Sequence, residues 1–178
     1  MAETADLPRI PLKCLKEQKD KFLQAMEQRG FVILTDLEQG EDLFRDMISR
    51  FKEFCSLPEE DRKRCTSKRV YKSERGVPMW YCGYEGADMR DAFRVSTGMM
   101  DIGCWPSSEF ENSWRTLALF LRNVCDQCLS LALDREISPP SDPADDKSVS
   151  YAVFYPNNRG GQQAEGINIK VRTPFQIL

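Results

Sequence analysis

The sequence contains no histidine in 178 residues. That absence removes the usual neutral-pH general base and the neutral imidazole ligand that most mononuclear iron and zinc sites require. Long apolar runs are missing too. Nowhere do about eighteen apolar residues follow one another, and the opening MAETADLPRIPLK has neither a signal-peptide core nor an Arg-rich amphipathic pattern. A cytoplasmic chain with no membrane partner is the expectation. Positive charge is not in excess either: the formal net charge is -3. The one basic run, Arg62-Lys63-Arg64 with Lys68-Arg69 behind it, directly follows Glu59-Glu60-Asp61 and reads as a solvated helix end. No nucleic-acid partner is expected.

What is present suffices for one core. Hydrophobic residues make up 41% and charged residues 30%, the balance of a globular chain. The seven cysteines are an odd number without a secretory signal, so they read as reduced thiols. Cys125 and Cys128 form the only Cys-x-x-Cys, but they share the helical phase of Leu121 and Leu129, and no second pair or histidine completes tetrahedral zinc. Packing is therefore predicted for them. Asp88, Arg90, Asp91 and Arg94 read as a surface ion-pair cluster rather than acid-base machinery. Serine, threonine and lysine nucleophiles lack a base. No residue is assigned a catalytic or a metal-binding role.

The periodicities predict a mixed fold. Arg9-Ile10-Pro11-Leu12 reads as an edge strand, because proline fixes its own backbone and extends its predecessor. A helix is expected over 15–29, with Gly30 as a left-handed cap, followed by a buried strand over 31–34. Leu43, Phe44, Met47, Ile48, Phe51, Phe54 and Cys55 mark a second amphipathic helix, and Pro58 starts a short third one. Residues 72–86, with Trp80, Tyr81 and Tyr84 among glycines, read as an ordered aromatic loop that packs or lines a pocket. The longest helix is expected over 110–132, about six turns. An exposed Pro-rich connection follows over 138–146, then a strand over 149–155 closed by Pro156, and an edge strand over 167–171.

The order of these elements, with their punctuation, resembles the isopenicillin N synthase-like family of iron- and 2-oxoglutarate-dependent oxygenases. The words that carry the resemblance are Leu7-Pro8-Arg9-Ile10-Pro11-Leu12, Arg29-Gly30-Phe31-Val32-Ile33-Leu34, the stretch from Phe51 to Lys63 around Leu57-Pro58-Glu59, Gly83-Tyr84, Arg90-Asp91-Ala92-Phe93, and Trp105-Pro106. They lie in the family's order within the first 156 residues. Tyr151-Ala152-Val153-Phe154-Tyr155-Pro156 is similar to the first strand of the family's barrel, so the resemblance implies that Tyr155 is a 2-oxoglutarate contact. It also implies iron(II) and 2-oxoglutarate as the family's cofactors, held through a His-x-Asp pair and a distant second histidine. Those histidines are absent, and Arg172-Thr173-Pro174 departs from the family's Arg-x-Ser motif. No cofactor is therefore expected on this chain.

The reading is an α/β (α+β) fold: a helical domain with a small sheet over 1–136, a linker over 137–147, and over 148–178 the first strand of an incomplete jelly roll with a divergent tail. A truncated, catalytically inactive oxygenase N-terminal domain is one functional expectation. The other is a non-enzymatic interaction module, or pseudoenzyme fragment, that pairs with a protein partner or with itself through an exposed strand edge. A thiol or metal protein built on the cysteines is a third.

Overall fold

The computed structural model describes residues 7–67, 71–72, 78–79, 82–87, 90–95, 101–141, 146, 148–155 and 166–172. Strand β1 (Arg9–Pro11) pairs in parallel with β2 (Ile33–Thr35), and helix α1 (Lys19–Arg29) makes the crossover between them. Gly30 caps α1 as expected, at φ 74°, donating its N–H to the Met26 carbonyl at 3.0 Å. The helix begins later than periodicity suggests: a 3₁₀ turn over Leu12–Cys14 comes first, and Leu15 is core. The strand expected over 31–34 is also displaced. Pairing begins where Ile33 donates to Pro8, and β1 is only three residues long, so Phe31 is left 42% exposed and β2 half-buried.

Helix α2 (Gly40–Cys55) and helix α4 (Ser108–Leu133) pack against each other. Gly40 permits the approach, because a Cβ there would stand 2.8 Å from the Phe120 ring. Ser107 caps α4, its side chain accepting from the Phe110 N–H at 3.1 Å, which satisfies one orphan donor of the first turn. Short helix α3 (Glu59–Arg64) follows Pro58.

Strands β3 (Tyr71–Lys72) and β4 (Pro78–Met79) form a small antiparallel pair. The main sheet is antiparallel in the order β5 (Gly83–Ala87), β6 (Arg90–Val95), β7 (Val149–Tyr155), β8 (Gly166–Arg172). The loop expected over 72–86 is thus in part strand. Gly83 is needed there for approach rather than for a turn: at φ +89°, a Cβ would collide with the Cys65 carbonyl oxygen, which accepts the Tyr84 N–H. Trp80 and Tyr81 lie outside the described residues. Cys82 and Tyr84 are core.

One core joins α2, α4 and the sheet. Phe93 is fully buried, with ring centroids 5.0 Å from Phe110, 5.3 Å from Trp114 and 5.7 Å from Phe54. Such edge-to-face clusters add to simple burial. The Trp114 indole donates to the Ser150 hydroxyl at 2.8 Å, tying α4 to β7. Ile10, Leu15 and Phe22 make a smaller cluster against Leu34, Cys128 and Leu131. By length and composition alone α4 is apolar enough to cross a bilayer. Here its Phe110, Trp114, Leu117 and Leu129 are core, and Arg122 is ion-paired. Its partner, Asp146, corrects the reading of 138–146 as wholly exposed: Asp146 is 5% exposed, and its carboxylate accepts from Arg122 and from the Ser148 N–H.

Candidate functional site

Side chains alternate across the main sheet. Tyr84, Phe93, Val95, Ser150 and Ala152 are buried on the side of α2 and α4. The opposite row carries Glu85 on β5, Arg90, Ala92 and Arg94 on β6, and Tyr151, Val153 and Tyr155 on β7. The register brings them together: Glu85 lies opposite Ala92, Ala92 opposite Val153, and Arg94 opposite Tyr151.

Arg90 donates to Glu85 at 2.9 Å. Its guanidinium is held above its ordinary pKa, first by the Tyr151 hydroxyl, then, against partial burial, by Glu85 and by a hydrogen bond to Tyr155. The Arg94 guanidinium stands 5.7 Å from the centre of the Tyr151 ring, a cation-π geometry. Burial, followed by the charge of Glu85, raises the Tyr151 hydroxyl above its usual range, and Arg90 and Arg94 oppose that rise. Tyr155, 44% exposed at the end of β7, is therefore beside a cation. Arg90 could not be read as its neighbour from sequence, because the two residues meet only through strand pairing.

The cluster read as surface ion pairs divides across the sheet. Arg90 and Arg94 belong to the row just described. Asp91 points to the other side, where Arg62 of α3 pairs with it and the Tyr84 hydroxyl donates to it at 2.6 Å. The Arg62 guanidinium also lies 5.2 Å from the Tyr84 ring centre. With side-chain exposures of 14% and 16%, Arg62 and Asp91 form a half-buried strut rather than a solvated pair. Asp88 lies outside the described residues.

Two guanidinium groups and two phenols on one face make a donor set suited to a carboxylate. The donors for iron do not match. A facial triad uses two imidazoles and one carboxylate. The chain has no histidine, and among the described residues no three His, Cys, Asp or Glu side chains converge. On β8 the ladder sets Asn168 opposite Val153 and Lys170 opposite Tyr151. Glu85, the carboxylate of the row, is engaged by Arg90.

No protein-family model matches the sequence. Solved structures do. A C-terminally truncated protein from Neurospora crassa, in its apo form, superposes with a TM-score of 0.63 at 10% identity over 88% of this chain and 64% of that one. The rice dioxygenase for auxin oxidation gives 0.61 at 12% identity, covering 85% and 52%. A protein assigned to the 2OG-Fe(II) oxygenases from Caulobacter crescentus gives 0.60 at 18% identity, covering 89% and 59%. The chain shares the 2OG-Fe(II) oxygenase fold. It spans from 52% to 64% of the length of these solved chains. Among the structures with this fold, the full-length Neurospora crassa protein has been seen with alpha-KG, and JOX2 with 2OG, Fe and JA. At these identities the likeness establishes architecture, and chemistry has to come from the residues of the site.

Proposed function

We propose that residues 1–178 are the N-terminal, non-catalytic portion of an isopenicillin N synthase-like oxygenase fold, with β7 as the first strand of a jelly roll left incomplete by these residues. The helical part over 1–136, the link over 137–147 and the strands over 148–178 follow that division. The carrying observation is chemical. The face that bears Tyr155 keeps phenols and guanidinium groups for a carboxylate such as that of 2-oxoglutarate, while the chain supplies no imidazole for iron(II). The reading is therefore of a pseudoenzyme-like unit that does not turn over a substrate by itself.

The test is anaerobic calorimetric titration of the folded chain with ferrous iron, with and without 2-oxoglutarate. No stoichiometric heat of iron binding is expected in either arm. Saturable one-to-one binding at micromolar affinity would refute the reading, since it requires a donor set other than the one derived above. A second reading rests on the position of β8, whose outer edge ends the order of the main sheet. An edge strand presents unpaired backbone groups and can take up a strand from a partner or from a second copy. On that reading the unit works as a cytoplasmic interaction module.

A further inference from the structure

Beyond the sheet face, α4 lines two apolar openings, where Leu117 and Leu129 belong to the core and Phe120, Val124 and Ala132 do not. An opening of about 590 Å³ between α2 and α4 is floored by Leu37, Phe44, Leu117, Phe120 and Leu121. A second, of about 650 Å³ between α1, β2 and α4, is floored by Met26, Phe31, Val32, Val124 and Cys128. Leu34 lines both, and the helical residues run in steps of three and four from Leu117 to Ala132. The two openings adjoin at Leu34, and the α4 side of this two-part groove spans roughly 22 Å at 1.5 Å per residue.

The rim has one sign. Its charged lining among the described residues is Glu27, Asp36, Glu38 and Glu41, with no lysine or arginine. Glu41 is already paired with Arg45 at 2.6 Å. No cation pairs with Glu27, Asp36 or Glu38 among the described residues. Two large aromatics, Phe31 and Phe44, stand 42% and 40% exposed in the groove.

We infer that this groove receives a basic amphipathic helix from a partner protein. The apolar residues of that helix, at intervals of three and four, enter the groove, and lysine or arginine at its flanks face Glu27 and the pair Asp36 and Glu38. The acidic rim selects this occupant. A symmetric dimer through the same face would set one acidic rim against its copy, and an anionic bilayer would meet it with like charge.

The test uses the intact chain and a fluorescein-labelled helical peptide of about fifteen residues, matched to the groove length, with leucines on one face and lysines on the other. Anisotropy should show saturable binding that weakens with salt, and a peptide with glutamate in place of lysine should bind at least about tenfold less tightly. Glu27→Lys and Glu38→Lys, both at exposed positions, should each weaken the basic peptide about fivefold or more, since a like charge then faces it. Phe31→Ser should weaken it too, while Leu119→Ser, exposed outside the groove, should leave it unchanged. Equal binding of both peptides, indifference to the charge reversals, or no saturation overturns the proposal. A dimer dissociated by Phe44→Ser, or sedimentation with anionic vesicles lost in Phe31→Ser, also overturns it by giving the groove another occupant.

Discussion

Replacing Asp146 by asparagine removes a charge from the most buried ion pair among the described residues and keeps the side chain's shape. The Arg122 and Asp146 side chains are 10% and 4% exposed. Breaking a buried pair by removing one partner costs about 3–5 kcal/mol, because the remaining charge stays out of water. Here Asp126 lies 3.8 Å from Arg122 and compensates in part, so the cost expected for D146N is about 2–3 kcal/mol. With a urea m-value of about 2 kcal/mol/M, the unfolding midpoint should fall by about 1 M at unchanged slope. Arg122→Met should be similarly harmful. The double variant R122M/D146N should be less so than the sum, because no unpaired guanidinium remains.

The pH dependence fixes the sign independently. Burial, the largest influence, pushes the Asp146 carboxyl up, but the Ser148 hydrogen bonds and Arg122 outweigh it, and the net shift is downward. A carboxyl whose folded pKa is depressed contributes stability above its unfolded pKa and loses it as pH falls through the folded value. The difference between wild type and D146N should therefore be constant from neutrality to about pH 4 and shrink below it. A difference under about 0.5 kcal/mol at neutral pH, strictly additive single variants, or a gap that persists at low pH would each refute the ion-pair account.

Gly83→Ala should destabilise the chain by more than about 3 kcal/mol in the same assay, since the added Cβ meets the Cys65 carbonyl and the left-handed conformation is strained for alanine; a loss under about 1 kcal/mol would show that α3 can move away from β5. The thiols should be sluggish. Burial is the first cause raising Cys55 and Cys104 to about 12 and Cys128 to about 11, and it also raises Cys65 and Cys125. The thiolate is the reactive form, so at pH 8 these five should react with a chromogenic disulfide far more slowly folded than in denaturant. Rapid labelling of Cys125 or Cys128 would revive a thiol-based function.

Elements governed by local patterning were legible. The seven-residue β7 has the boundaries its β-branched and aromatic run suggests, and the long helix differs from the apolar repeat by only a residue or two at each end. The β5–β6 hairpin was obscured, because Gly83, Gly86, Arg90, Asp91 and Arg94 depress strand propensity and the period-2 signal rests on Phe93 and Val95. Those charges are tolerated because the core lies on one side only, and the guanidinium groups of Arg90 and Arg94 find phenols across the ladder. Asp146 was misjudged for a related reason: its partner is 24 residues away on α4, and proline-rich surroundings argue for exposure. At the candidate site the position of Tyr155 came from the resemblance, while its cationic neighbour required the register.

The division between the two sides of the sheet shows where a chain without histidine holds its fold together. In a metal-dependent small domain, binding free energy is folding free energy, and loss of the ligands unfolds the chain. Here Phe54, Phe93, Phe110 and Trp114 form the core on the side of α2 and α4, and the Arg62–Asp91–Tyr84 strut ties α3 to that same side. The row bearing Arg90, Tyr151 and Tyr155 adds polar contacts but little of the large apolar burial. Changes in that row would therefore leave the aromatic core intact. On the opposite side and along α4 lie the row proposed to take a carboxylate and the acidic-rimmed groove. The groove shares its helix with the core, so a partner seated there would rest on the helix that carries Phe110, Trp114 and Leu117.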